Sequence, residues 1–578
     1  MNWRGQFERW KSFDSLRQDL REELIKHEND EMYLEDSFYK NLEFGTGGMR
    51  GEIGAGTNRM NIYTIRKAAQ GLAEYMKAAG EKALSRGVVI AHDNRRSSDE
   101  FALEAACTLG ANGIKTYLFK ELRPTPQLSF AVRHLHTHTG IMITASHNPP
   151  EYNGFKVYGE DGAQMVPEDA DRLIEMVNAV ENELTIQTAK KEELINQGLL
   201  EYVLDEIDES YGNALTSVTA DKELVASVAD DLSIVFTPLH GAAQKPMMDG
   251  FKRVGFKNVH SVLEQAVPDT EFSAVTSPNP EEHRAFDRAI LLGDKRDADL
   301  LIATDPDGDR VGVAAKNSEG QFTVLTGNQT GALMLDYLLG KKKETNNLPE
   351  NGIVLKTIVT SEMGRRIAGE FGIETLDVLT GFKFIGEKIR QFEASKERTY
   401  LFGYEESYGY LIEPFARDKD AIQSALLAAE VAGYYKKRGM TLYDGLLELY
   451  SRYGYYLEDL ESFVFKGKSG AETMSQMMEA FRKQPLKEQA GQKVKWMEDY
   501  LEGTRVNVLD GSSEAIEFPS SNVIKVVLED GSWYCLRPSG TEPKIKCYFG
   551  VRKDSLEESK TQLEKLKDSV LQKVNEMS

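Results

Sequence analysis

Short apolar runs that end in polar loops recur along this chain, with helix-favouring segments between them. That rhythm constrains the fold more than any other feature. GVVIAHD (87–93) reads as a strand, FALEAACTLGANG (101–113) as a helix and IKTYLF (114–119) as a strand. TPQLSFAVRHL (125–135) then reads as a helix, and TGIMITA (139–145) as a strand feeding the loop TASHNPPEYNGFKVY (144–158). Such alternation calls for α/β layers and argues against an all-α or all-β fold. The pattern restarts at LSIVFTPLHG (232–241) and again at NGIVLKTIVT (351–360), the expected opening strands of a second and a third domain. NVIKVVLEDGSWYCLRP (522–538) differs, being two strands about an Asp-Gly turn. A last helix follows, with Leu556, Leu563, Leu566, Val570 and Val574 on one face.

A chain of 578 residues exceeds what one core organises. The expected division is 1–210, with a charged helical extension at 15–41 and the serine loop; 211–325, with an aspartate loop; 326–455; and a C-terminal α+β segment, 456–578. The 70 basic and 92 acidic residues give a net charge of −22, which argues against non-specific nucleic-acid binding. An anionic ligand must therefore meet a local positive patch. No apolar run approaches the length that crosses a bilayer, and MNWRGQFERWKSFD has no apolar signal core. Cys107, Cys535 and Cys547 form no metal or redox spacing, so the expected setting is a reducing cytoplasm.

Chemistry is concentrated in a few loops. In LLIATDPDGDRVGVAA (300–315), Asp305, Asp307 and Asp309 surround Gly308 after a buried-type strand. Three such carboxylates repel unless a cation joins them, and a hard, oxygen-seeking ion such as Mg2+ suits the set better than an acidic surface turn does. An EF-hand is disfavoured, because position 12 of the loop is Lys316 rather than glutamate. In LRPSGTEPKIK (536–546), Ser539, Gly540 and Thr541 offer an anion nest, Arg537 a bidentate fork, and Lys544 and Lys546 added charge. A plain hairpin end would explain Pro538 and Gly540 but not the added Arg, Ser and Thr.

Glu405 and Ser407 in GYEESYGY (403–410) suit vicinal sugar hydroxyls, or equally a solvated acidic loop. Lys383, between Phe382 and Phe384, reads either as a lysine shifted toward acid–base use or as a snorkelling surface residue. His134, His136 and His138 alternate as they would on one strand face, but no fourth zinc ligand is evident. Ser146 and His147 suggest a hydrolase dyad, yet adjacent side chains tend to point apart and G-x-S-x-G is absent there.

With these loops in hand, the sequence resembles the α-D-phosphohexomutase superfamily, most closely its phosphoglucomutase branch. TASHNPPEYNGFK matches the phosphoserine loop, DPDGDR the metal loop, GYEES the sugar loop and RPSGTEPK the phosphate loop; FGTGGMRG (44–51) resembles the N-terminal arginine segment. These motifs stand in family order across nearly the full length. The resemblance implies four domains around a central cleft: three similar α/β mixed-sheet domains and a C-terminal α+β domain. It makes Ser146 a phosphoserine nucleophile that, with Asp305, Asp307 and Asp309, holds one Mg2+. It sets Arg50 and Arg310 near that centre and makes Lys156 and Lys383 candidate proton carriers. His147 joins the catalytic group as a hydrogen-bond partner rather than a base.

By the same resemblance, Glu405 and Ser407 hold sugar hydroxyls, and Arg537, Ser539, Gly540 and Thr541 clamp the phosphate that is not reacting. The implied reaction interconverts glucose 1-phosphate and glucose 6-phosphate, with glucose 1,6-bisphosphate as priming intermediate. One departure is Tyr404, which separates Gly403 from Glu405 where the family often reads Gly-Glu-x-Ser. Rival readings are a phosphomannomutase, a phosphopentomutase or an amino-sugar mutase, a metal-dependent sugar-phosphate phosphatase, and a non-catalytic sensor. TGFKFIGE resembles the glucose-type loop. The expected partners are small sugar phosphates, with no nucleic acid or membrane, and the expected state is a monomer or weak homo-oligomer. A C-terminal phosphate clamp should close on its ligand. Small-angle scattering should then show a smaller radius with bisphosphate than without it.

Overall fold

The computed structural model describes residues 2–45, 48–464, 467–483, 487–538 and 544–577. Two compact units emerge, Met1–Thr330 with Phe382–Tyr443, and Gly331–Gly381 with Asp444–Ser578. The helical extension expected at 15–41 is the pair Gln18–Lys26 and Glu31–Phe38, preceded by a helix Trp3–Lys11. The Asn2 side chain caps that first helix by accepting from the Gly5 N–H. Its Phe7 and Trp10, three residues apart, share the inward face and are buried. The Trp10 ring meets Tyr63 edge-on at 5.3 Å and Phe38 at 5.7 Å, and its indole N–H donates to Glu183 Oε1 at 2.7 Å. The segment MNWRGQFERWKSFD, in which aromatic and charged residues alternate, thus carries a helix whose Phe7 and Trp10 join the first core.

The first sheet contains β1 (Phe44–Gly45), β2 (Gly48–Glu52), β3 (Val88–His92), β4 (Thr116–Phe119), β5 (Thr139–Ile143), β6 (Tyr152–Tyr158) and β7 (Leu200–Val203), in the order β1-β2-β6-β5-β3-β4-β7. Strands β5, β3, β4 and β7 run parallel, while β6 is antiparallel to β5. The second sheet contains β8 (Ile234–Thr237), β9 (Val259–Ser261), β10 (Leu300–Thr304), β11 (Val311–Lys316) and β12 (Phe322–Leu325), in the order β12-β11-β10-β8-β9. Here β10, β8 and β9 are parallel and β11 turns back antiparallel to β10. The two sheets share a plan: parallel strands, then one that reverses after a loop. All five residues of β5 and of β10 are buried, as continuous apolar runs covered on both faces should be.

Further along, β13 (Gly352–Thr357) pairs parallel with β14 (Glu374–Val378) in the second unit. In the first unit, β15 (Thr399–Glu405) and β16 (Gly409–Leu411) form an antiparallel hairpin. Tyr404, the departure from the family pattern, pairs in register with Tyr410, and the two rings stack 6.4 Å apart. The ladder absorbs the extra residue without a register shift. The C-terminal Asp-Gly turn joins strands Ile524–Leu528 and Trp533–Pro538, with Gly531 at φ 82°. Helix Leu556–Met577 packs Leu566, Val570 and Val574 into the adjoining core.

His134, His136 and His138 share no strand. His134 ends helix Thr125–His134, His136 sits at φ 55°, and His138 precedes β5. Ser539, Gly540 and Thr541 lie outside the described residues. Replacing Trp10 with Ala removes a fully buried ring and one donor to Glu183 Oε1, with Arg9 keeping its own bond there, and should cost about 3–5 kcal/mol. A urea titration followed by circular dichroism should show the lowered midpoint, with Trp10→Phe intermediate because it loses only the N–H donor and part of the ring.

Candidate active site

The loops after β5 and β10 meet. Ser146 follows β5, is buried, and adopts φ 52°, the left-handed region that non-glycine residues rarely occupy. Its N–H donates to Thr144 Oγ1 at 2.9 Å. Its hydroxyl donates to Asp305 Oδ2, just past β10, at 2.7 Å. His147 Nδ1 lies 3.1 Å from the same Oγ, so the adjacent side chains do converge: the left-handed turn at Ser146 removes the extended geometry that would have separated them. Burial, together with the cations Arg310 and Arg50, holds the imidazole well below its ordinary range. A neutral ring suits a hydrogen-bond partner.

Asp305, Asp307 and Asp309 are buried, and one oxygen of each lies within 4.8 Å of the others. Gly308, at φ 66°, makes the tight turn that permits this. A second seat is Gly241, in the loop after β8. A Cβ there would stand 2.3 Å from Pro306 Cα, so only glycine lets the two loops touch. The carboxylate oxygens divide in a consistent way. Asp305 Oδ1 accepts the backbone N–H groups of Asp309 at 3.1 Å and Arg310 at 3.0 Å. Asp307 Oδ2 accepts Lys156 Nζ at 2.7 Å and Thr125 Oγ1 at 3.0 Å. Asp309 Oδ2 lies 3.0 Å from Lys419 Nζ. The opposite oxygens, Asp307 Oδ1 and Asp309 Oδ1, are buried and accept no hydrogen bond from the described residues. Buried acceptors of this kind carry a desolvation cost unless a cation meets them. Oxygen-only donors beside the Ser146 hydroxyl therefore fit a divalent hard cation.

The field is tightly balanced. Burial, then the neighbouring Asp307 and Asp309, pushes Asp305 well above the usual carboxylate range. Burial acts on Asp307 in the same sense, but the Lys156 ammonium, the hydrogen bond with Asp305 and Lys419 together outweigh it and hold that carboxyl low. Lys419 is likewise raised: burial opposes its charge, and Asp309 and Asp418 more than compensate. Among the described residues, this aspartate group is the set of His, Cys, Asp and Glu that can hold a metal. The three histidines of RHLHTHTG do not converge on one.

Arg50, Lys156 and Arg310 fall around this centre. Arg50 on β2 donates to Asn148 Oδ1 at 2.8 Å, inside the serine loop. Lys156 lies on β6, opposite Met142 of β5. Arg310 ion-pairs with Glu281, and its side chain feels Asp309, Asp305 and Glu405. Glu405 is buried at the end of β15, whereas Ser407 is half-buried in the turn that follows. The Tyr408 carbonyl in that turn accepts the Val311 N–H at 3.0 Å, tying the hairpin to β11. Lys383 is half-buried on the first turn of helix Phe382–Ser395, its ammonium 5.3 Å from the Phe384 ring centroid. Arg537 lies in the second unit on strand Trp533–Pro538, in register with Lys546.

Sequence reasoning passed over Lys419, Thr125 and Glu281. Lys419 stands in RDKDA (417–421), four charged residues abutting an almost wholly buried helix, and that abrupt boundary was the available signal. Thr125 opens a helix in RPTP, where nothing local points to a distant aspartate.

Models of one family match four successive segments: "Phosphoglucomutase/phosphomannomutase, alpha/beta/alpha domain I" at residues 41–184, domain II at 209–320, domain III at 326–453 and the C-terminal domain at 483–567. The chain belongs to the phosphoglucomutase/phosphomannomutase family. A Staphylococcus haemolyticus relative named phosphoglucomutase is 40% identical over 526 residues, covering 91% of this chain and 93% of that protein. A Staphylococcus aureus phosphoglucomutase is 39% identical over 560 residues, covering 96% of each. Among solved structures, the open form of pp63/parafusin from Paramecium superposes with a TM-score of 0.69 at 19% identity, covering 93% of this chain and 95% of that one. A putative phosphomannomutase from Thermus thermophilus gives 0.68 at 23%, covering 93% and 99%. These two likenesses speak for the phosphoglucomutase/phosphomannomutase fold. Thr125→Val should weaken divalent-cation binding about tenfold by loosening Asp307, while leaving the melting temperature nearly unchanged. Manganese titration followed by electron paramagnetic resonance reads that affinity directly.

Proposed function

We propose that this enzyme interconverts α-D-glucose 1-phosphate and glucose 6-phosphate through a phosphorylated Ser146 and a glucose 1,6-bisphosphate intermediate. The observation that carries the reading is the Ser146 hydroxyl, buried at a left-handed turn and 2.7 Å from Asp305 within the aspartate group. Phosphoryl transfer demands positioning and charge neutralisation more than covalent elaboration. Asp305, Asp307 and Asp309, with the Ser146 oxygen, would hold Mg2+, which supplies Lewis-acid neutralisation of phosphoryl charge.

In the first half-reaction the free sugar hydroxyl attacks the phosphorus of phosphorylated Ser146. A sugar O–P bond forms as the Ser146 Oγ–P bond breaks, and the hydroxyl proton leaves to a basic group. Lys156 and Lys383 are the two lysines we assign to proton movement. Lys156, bonded to Asp307, also steadies the carboxylates. Arg50 and Arg310 neutralise phosphate oxygens, and His147 orients the Ser146 oxygen. Glu405 and Ser407 hold sugar hydroxyls in either orientation. Arg537, with Ser539, Gly540 and Thr541, grips the distal phosphate. The bisphosphate then turns over, and its other phosphoryl group returns to Ser146, regenerating the starting enzyme.

We read the four family segments as four domains, bounded near residues 210, 325 and 455. Three free, buried cysteines support a reducing, cytoplasmic setting. Among the described residues no helix is long and apolar enough to cross a membrane. We further propose a monomer or weak homo-oligomer acting on small sugar phosphates.

The test is glucose 6-phosphate formation from glucose 1-phosphate with magnesium and a trace of bisphosphate. Ser146→Ala should lose at least about 1000-fold in kcat, as removal of an essential nucleophile does, and chelation of divalent ions should abolish wild-type turnover. Faster turnover of mannose or ribose 1-phosphate would overturn the sugar assignment. Free phosphate released in step with substrate loss would overturn the mutase assignment.

A further inference from the structure

Arg95 stands in HDNRR (92–96), just past β3, and none of the chemistry assigned above uses it. Its side chain is fully buried beside Asp93, at 3.4 Å, with the guanidinium carbon 5.1 Å from the Phe272 ring centroid. The guanidinium turns its N–H groups toward the serine loop. Nη2 donates to the Ser146 carbonyl at 2.6 Å and to the Asn148 carbonyl. Nη1 donates to the Pro149 carbonyl at 2.7 Å and to the Tyr152 carbonyl at 3.0 Å. One planar fork thus gathers four backbone acceptors, three from the loop after β5 and one from Tyr152, the first residue of β6. The carbonyls of Ser146, Asn148 and Pro149 lie outside the strands, and buried backbone acceptors require partners.

The same short stretch fixes both ends of the clamp. Asp93 Oδ1 accepts the Arg95 N–H at 2.9 Å and the Ser98 hydroxyl at 2.7 Å. Asn153, the second residue of β6, donates to the Arg96 carbonyl and to Ser98 Oγ, both at 3.0 Å. A left-handed serine is strained and persists only where its surroundings over-determine it. Around Ser146 the guanidinium supplies that over-determination, because it holds the serine's own carbonyl and those that follow.

We propose that Arg95 is a positioning residue for phosphoryl transfer: its fork on the carbonyls of Ser146, Asn148, Pro149 and Tyr152 holds Ser146 in the left-handed turn from which its oxygen reaches Asp305. The proposal rests on Ser146 being the phosphoryl carrier. A purely structural role, balancing the buried charge of Asp93, makes a different prediction. Lysine keeps that charge, but an ammonium cannot offer a rigid planar fork.

The experiment compares wild type, Arg95→Ala and Arg95→Lys as full-length proteins. Glucose 1-phosphate turnover is measured with and without added guanidinium chloride or methylammonium chloride, alongside hydrogen exchange across residues 144–152. In both variants kcat should fall about 100-fold, the scale of an ångström-sized misplacement, with KM changed less than about threefold. Exchange at the Ser146 and Asn148 amides should quicken in both. Low concentrations of guanidinium, and not methylammonium, should restore both rate and protection in Arg95→Ala. Should Arg95→Ala fail to fold, Arg95→Lys, with its charge retained, decides alone. Wild-type kinetics and exchange in Arg95→Lys would overturn the proposal, as would a loss in Arg95→Ala that guanidinium leaves untouched. If the wild type itself turns over no sugar phosphate, the functional reading falls, and the exchange arm still shows whether Arg95 shapes the loop.

Discussion

Three carboxylates buried at the end of β10 set the terms for the rest of the first unit. Asp305, Asp307 and Asp309 are at most 3% exposed, and anions removed from water must be met by cations and donors or they destabilise the fold. The chain meets them from distant positions. Lys156 comes from β6, Thr125 from a helix start, Lys419 from a segment more than a hundred residues later, and backbone N–H groups from the loop itself. Each donor satisfies one oxygen, while the second oxygens of Asp307 and Asp309 accept no hydrogen bond from the described residues, Arg310 Nε standing 3.8 Å from that of Asp309. Neutralisation is therefore incomplete in a directed way, which is what a cation site requires.

The same constraint explains why the reactive loops occupy equivalent places. The serine loop joins β5 to antiparallel β6, the aspartate loop joins β10 to antiparallel β11, and Glu406–Tyr408 joins β15 to antiparallel β16. In α/β sheets, ligands gather beyond the carboxyl ends of the strands, where loops are free to vary while the strands stay buried. Repeating one plan places the proposed nucleophile, the candidate metal ligands and the sugar-binding candidates each on a loop of that kind. The first two are brought into direct hydrogen-bond contact. No repeat is visible in the residues themselves, because buried strands demand only apolar side chains and leave the identities free.

Local chemistry made much of this legible beforehand. Continuous apolar runs marked β3, β5, β8, β10 and β13, and the Asp-Gly pair marked the C-terminal hairpin. Aspartates at alternate positions round Gly308 marked a loop able to hold a cation, since their mutual repulsion calls for compensating charge. At Ser146 a backbone conformation departs from the expected extended chain. Ser146 and His147 were expected to diverge as neighbours in extended chain, yet φ 52° at Ser146 brings His147 Nδ1 to 3.1 Å from the serine oxygen. The three histidines alternate in sequence, but a helix end and the left-handed His136 scatter them.

What the sequence by itself determined is the alternation of strands and helices, the acidic net charge, and the loops able to bear a nucleophile, a cation and a phosphate. These follow from side-chain chemistry and periodicity, which act over a few residues. The tertiary structure alone decided which groups share those loops. Lys419 beside Asp309, Thr125 on Asp307, Glu281 on Arg310 and Arg95 beneath the serine loop each join residues dozens to hundreds of positions apart. Their pairing energy exists only once the sheets have packed and water has been excluded, so no local pattern can carry it.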